Sequence, residues 1–156
     1  MKEKILEAFK ELGFKLEEEE GMGYCFNYEG LNLLYMYNEN DEEFLNIALP
    51  GIVDVEEDKM LQICALLEKI NSTLKYIKAY MLGNSVWLFY ERELFGEEDL
   101  MTVISRMILH LEAGLSLARK AMAEIEETMT NDSSDDDTAE SAEEIDAEEI
   151  TDDDNE

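Results

Sequence analysis

One stretch constrains the fold more than any other: the long apolar-periodic run between Gly96 and Glu127. From Met101 its apolar residues step by three and four, through Ile104, Ile108, Leu111, Leu115, Ala118, Met122 and Ile125. That spacing keeps them on one side of a helix, so the segment predicts a single long helix with a continuous seam. Leu100, Val103 and Met107 widen the stripe at its start. A helix from Glu97 to Glu126 would run ~45 Å at 1.5 Å per residue, longer than a short strand or the width of a small sheet. Met122 and Ile125 would then form an apolar end overhanging the core and offered to a partner.

The segments upstream supply something for that helix to cover. Ile5, Phe9 and Leu12 share one helical face, widened by Leu6 and Ala8, and Gly13 ends the helix. Phe14 to Glu20 reads as an irregular lead-in or a charged edge. Tyr24–Tyr28 and Leu31–Tyr37 alternate around Glu29-Gly30, which predicts a hairpin pairing Tyr28 with Leu31, Phe26 with Leu33, and Tyr24 with Tyr35. A third strand, Phe44–Leu49, is expected to end at Pro50-Gly51. A second helix is expected from Asp54, with Glu57 completing a capping box. Its seam is Met60, Ile63, Cys64, Leu67 and Ile70, and Asn71 is its stop.

A second hairpin, Leu74–Leu82 and Ser85–Leu94, turns at Gly83-Asn84. One face pairs Met81/Val86, Ala79/Leu88 and Ile77/Tyr90; the other pairs Tyr80/Trp87, Lys78/Phe89 and Tyr76/Glu91. Both are apolar near the turn, whereas burial on one side only would leave the other polar. The aromatic set Tyr76, Tyr80, Trp87 and Phe89 is therefore either core beneath the helices or a contact surface for a second copy or a client. Large rigid aromatics dominate such contacts. With Met122 and Ile125, these are the candidate partner-binding residues.

Charge narrows the partners. The chain holds 12 basic and 40 acidic residues, a formal charge of −28. Residues 131–156 carry 14 of the acids and no base. A surface of this sign repels phosphate, which disfavours nucleic acid and anionic membrane and favours basic proteins. Residues 128–156 cannot bury enough apolar surface to offset their ordering entropy, so the expected organisation is a domain over 1–127 and a disordered acidic tail over 128–156. No signal peptide is read at Met1-Lys2-Glu3-Lys4, and no run of the ~20 apolar residues a membrane span needs. Cys25 and Cys64 show no metal or redox spacing and read as small core residues in a reducing, cytoplasmic setting.

Catalytic chemistry is not legible. The lone His110 has no Ser or Cys placed to use it. The carboxylate runs Glu17–Glu20, Asp41–Glu43 and Glu56–Asp58 are adjacent and solvated, unlike an acid/base pair held across a pocket. Asn131–Asp137 lacks the glycine of a calcium loop, and Gly21-Met22-Gly23 lacks the spacing of a phosphate loop. The expectation is no catalytic residues, no metal and no cofactor.

The element order is α-β-β-β-α-β-β-α, an α+β chain with a five-stranded antiparallel sheet and a long C-terminal helix. This order, with Glu11-Leu12-Gly13-Phe14 closing the first helix, Glu68-Lys69-Ile70-Asn71 closing the second, and Tyr90-Glu91-Arg92-Glu93-Leu94 ending the last hairpin, resembles the YbjN-like group. That group's fold is similar to the bacterial type III secretion chaperones. The resemblance covers about residues 1–125. It implies helices packed mainly on one sheet face, commonly a homodimer, and for the chaperones the holding of a client polypeptide in extended form without ATP. It supplies no catalytic residues. Two rivals stand beside the protein-interaction reading: an acidic decoy whose tail binds a basic protein, and an enzyme with an unrecognised pocket.

Overall fold

The Tyr24–Tyr37 segment closes in the predicted register. In the computed structural model, which describes residues 1–135 and side-chain surroundings through Asn131, β2 (Gly23–Tyr28) and β3 (Leu31–Met36) pair antiparallel with Tyr28 opposite Leu31, Phe26 opposite Leu33 and Tyr24 opposite Tyr35. Glu29 and Gly30 both take positive φ, 48° and 83°, the geometry whose twist matches the two strands. Asn27 Oδ1 accepts from the Gly30 N–H at 3.3 Å, and Asn27 Nδ2 donates to Asn32 Oδ1 at 3.2 Å across the ladder.

The other elements are α1 (Lys2–Glu11), β1 (Glu17–Glu19), β4 (Phe44–Asp54), α2 (Met60–Thr73), β5 (Ile77–Leu82), β6 (Ser85–Glu93) and α3 (Leu100–Asp135). They form one antiparallel sheet in the order β1-β2-β3-β4-β6-β5, with the three helices on one face. The sheet has six strands rather than the expected five, because the Glu17–Glu19 lead-in pairs with Gly23–Cys25 as an edge. All three glutamates stay exposed there.

Pro50 does not end β4. The strand shifts register between Leu49 and Val53 and then pairs Val53 with Val86 and Asp54 with Ser85. A bulge is the place in a sheet where a missing N–H is tolerated, and Gly51 supplies a φ of 64° to make it. The longer strand displaces the start of α2. Asp54 belongs to β4, and the Val55 N–H donates to the Asn84 carbonyl at 2.9 Å in the second hairpin's turn. The expected Asp54–Glu57 capping box therefore does not form. A 3-10 turn at Glu57–Lys59 leads into the helix, with no side-chain cap. The buried residues of α2 are Ile63, Leu66 and Ile70, so its packed face is centred nearer Leu66 than expected and Cys64 is exposed rather than in the core. Asn71 does not stop the helix, which runs to Thr73.

The long helix begins at Leu100, three residues later than expected, because Asp99 caps it and Glu98 folds back on the chain before it. Asp99 accepts from the Thr102 N–H at 3.4 Å and from the Thr102 hydroxyl at 2.7 Å. Glu98 accepts from the N–H groups of Phe95 and Gly96 at 2.7 and 2.9 Å, which holds its carboxyl below the usual range. Val103, Ile104, Met107, Ile108, Leu111, Leu115, Ala118 and Ala121 are buried, whereas Met101, the first residue of the predicted seam, is exposed. The helix continues past Glu126 to Asp135, and the rest of the expected acidic tail lies outside the described residues. Contrary to the expectation that no segment reaches membrane-spanning length, α3 is long and apolar enough by composition. Its seam is packed on the sheet and α2.

Candidate interaction face

Alternation along the paired strands assigns every sheet residue to one of two faces. The helix side holds Phe26, Leu33, Tyr35, Leu45, Ile47, Leu49, Ile77, Ala79, Val86, Leu88 and Tyr90, all part of the main core. Ile77, Ala79 and Val86 lie under the helices, and the aromatic face of the second hairpin points away from them.

That far face carries a second, small core. Cys25, Leu34, Ala48, Phe89 and Lys78 form one cross-strand row, with Glu17 at its β1 end. Leu34 is 1% exposed and Ala48 and Phe89 are 0% exposed, although no helix covers them. Neighbouring side chains do so instead: Cys25, Met36 and Trp87 pack around the three. Tyr80 stacks on Phe89 with ring centroids 4.1 Å apart, and Trp87 lies 6.0 Å from Phe89. Trp87, Tyr80 (43% exposed), Met36 and Cys25 form the outer layer of this face, while Phe89 supports them from below. Burial first, then Glu19 and Glu17, push the Cys25 thiol up, so it stays protonated and a poor nucleophile.

Tyr76 does not join this set. It precedes β5 with a φ of 68°, which turns it to the helix side. There it stacks on Tyr90 at 5.6 Å and lies 6.2 Å from His110. Met122 and Ile125 are half-buried on α3, and Ile125 lines a shallow groove of about 340 Å³ with Ala65 and Lys69 of α2. The six sequence candidates thus occupy three places, and only Tyr80, Trp87 and Phe89 form one surface. Met36, Leu34, Ala48 and Asn46 were missed, since their face looked mixed within the first hairpin alone.

Charges frame the far face. Glu17 and Glu19 stand at the β1 edge, Glu91 and Glu93 at one end of β6, and Asp54 at the other end of the sheet. Lys78 donates to Glu91 on this face, and that bond holds its ammonium above the usual range, while at the β1 edge Lys15 pairs with Glu17 at 3.0 Å. Among the described residues, no three His, Cys, Asp or Glu side chains gather as a metal site.

Both sheet edges carry features that discourage strand addition. Three exposed glutamates occupy the β1 edge. At the β5 edge the Asn71 side chain imitates a strand: its Nδ2 donates to the Ala79 carbonyl at 2.9 Å and its Oδ1 accepts from the Ala79 N–H at 2.8 Å. Asn71→Leu should strip both bonds and cost roughly 1–3 kcal/mol. It should also open β5 to pairing with another chain, so its sedimentation coefficient is expected to rise with concentration while that of the parent protein stays flat.

No protein-family model matches the chain, and no curated protein matches it in sequence. Among solved structures, it is similar to the crystal structure of YbjN from E. coli, described as a candidate transcription regulator. The TM-score is 0.56 over 74% of this chain and 86% of that one, at 13% identity. The chain has a YbjN-like fold.

Proposed function

We propose that this chain is a non-catalytic protein-interaction domain that lays another polypeptide across the helix-free face of its sheet. The observation carrying this reading is the small core of Leu34, Ala48 and Phe89, roofed only by Trp87, Tyr80, Met36 and Cys25. A face meant for water alone would be polar, and one meant for a helix has a helix on it. The charged β1 edge and the Asn71 bonds on β5 favour the face over strand addition. The resemblance to secretion chaperones read from the element order implies a client held in extended form, and a regulator working through protein contacts would use the same surface. Two copies could also meet there, which light scattering measures directly.

Pull-down from native lysate, with the intact chain, with residues 136–156 removed, and with Trp87→Ala, tests the reading. The expected result is one polypeptide retained by the intact and shortened chains and lost from Trp87→Ala, whose truncation should weaken binding roughly thirtyfold or more. Retention that disappears with the tail and survives Trp87→Ala would replace this reading with the acidic decoy.

A further inference from the structure

The helix-free face ends in a cleft of about 350 Å³, where the chain entering β2 meets the ends of β3 and β4. Met22, Met36 and Phe44 form apolar walls; Asn46, Glu91 and Asp41 are polar. Met22 and Phe44 are each 43% exposed, so this apolar surface is not used by the domain's own packing.

The hydrogen bonds define what is missing. Asn46 Nδ2 donates to Glu91 Oε1 at 3.1 Å. An ionised carboxylate only accepts, so this contact fixes which way the Asn46 amide is turned. Its Oδ1 must face the other way, and there it is buried with no hydrogen-bond partner. The Tyr37 hydroxyl, a donor on the same lining, is already given to Glu42 at 2.8 Å. The Asn46 oxygen is sealed from solvent, so a donor reaches it only with a small shift of the lining; what the open cleft presents is the negative charge of Asp41 and of Glu91, the latter shared with Lys78.

We infer that this cleft receives an arginine side chain from a basic segment of the polypeptide that crosses the face, a conclusion that rests on the reading of that face as the contact surface. A guanidinium is a donor-only cation with several N–H groups in one plane. It is weakly hydrated enough to lie against Met and Phe walls, whereas an ammonium holds its water more tightly. Its three-carbon stem suits the apolar approach.

The chain cannot supply this group itself. Residues 136–156 contain no base, so the tail is the wrong sign. Of the chain's three arginines, Arg92 pairs with Glu98 at 3.7 Å beside the start of α3, and Arg106 and Arg119 stand on α3 in the opposite layer. A second copy meeting this one face to face would bring no arginine and another charge of −28. The occupant is a basic partner.

The test is a titration of the ¹⁵N-labelled full-length chain with Nα-acetyl-arginine amide, followed by NMR. The neutral citrulline analogue, nearly identical in shape, serves as the control. The arginine probe should shift the Asn46 side-chain amide and the Met22 and Met36 backbone amides saturably. Citrulline should bind roughly tenfold more weakly, as should the Glu91→Gln and Asp41→Asn chains to arginine. Asp41→Asn leaves the Lys78–Glu91 pair intact and so guards against a general loss of structure in Glu91→Gln. Equal shifts with citrulline, or arginine shifts spread over Glu17–Glu19 and the tail without preference for the cleft, would overturn the inference. Retention of a polypeptide by the parent chain without a saturable arginine isotherm would leave the face standing and remove only the cleft. Failure of the cleft and failure of the face are thus read separately.

Discussion

Gly23→Ala is expected to be the most damaging single methyl group added to this chain. Gly23 opens β2 with a φ of 140°, opposite Met36 in the ladder. A Cβ built there would lie 2.0 Å from the Tyr35 carbonyl oxygen, 3.0 Å from its carbon and 3.1 Å from the Met36 Cα. All three are backbone atoms of the neighbouring strand, so no rotamer change relieves the overlap. Relief requires parting β2 from β3, and with the backbone strain added the cost should reach roughly 3 kcal/mol or more. That is a large share of the ~5–15 kcal/mol by which a domain is stable. Urea denaturation should show the midpoint falling steeply. Gly21→Ala is the control: its φ is 79° but nothing lies within 4 Å of its Cβ, so only the strain of about 1–2 kcal/mol is expected. Equal losses in the two variants would mean that conformation, not contact, makes Gly23 necessary.

Phe9→Ala should be comparably severe for a different reason. Phe9 is 0% exposed and is the anchor of α1 on the sheet. Its ring lies 4.9 Å from that of Phe26, 5.6 Å from Tyr35 and 6.1 Å from Phe14, so truncation empties the middle of an aromatic cluster. A cavity left by a buried phenylalanine costs about 3–5 kcal/mol. Leu6→Ala, at the half-buried margin of the same helix, should cost much less. Hydrogen exchange adds a spatial readout. If α1 docks as part of the cooperative core, protection should fall across β2 and β3 as well. Loss confined to residues 2–11 would show that α1 detaches alone.

Both hairpin registers were legible because they depend on local chemistry: Glu29-Gly30 and Gly83-Asn84 each close a two-residue turn, and the pairings follow by counting. The facing of the second hairpin was not legible, since Ile77, Ala79 and Val86 are as plausible a core as Tyr80, Trp87 and Phe89. Pairing of β6 with β4 places the former under the helices, and no local pattern encodes that pairing. The same non-local pairing carried β4 past Pro50 and consumed the residues expected to cap α2. Tyr76 left its strand because its backbone turned left-handed, a conformation rare for a bulky residue. The cleft was invisible for a similar reason: Met22, Met36, Asn46 and Glu91 lie on separate strands or loops, and the orphaned Asn46 oxygen appears only once they meet.

The strand order carries one more consequence, for the way the sheet assembles. Strands β1 to β4 form an uninterrupted meander, and β5 with β6 forms a hairpin, so each half can close through neighbours in sequence. The join between β4 and β6 is different. It spans α2 and the whole of β5, and runs from Phe44–Glu93 to Asp54–Ser85. Among the strand pairings, closing that long loop is the step whose entropy cost must be met before its contacts form, and it should limit how fast the sheet assembles. Until it closes, β4 and β6 are two exposed apolar edges. The nascent chain is then open to strand addition in a way the finished domain, with Asn71 and the β1 glutamates in place, is not.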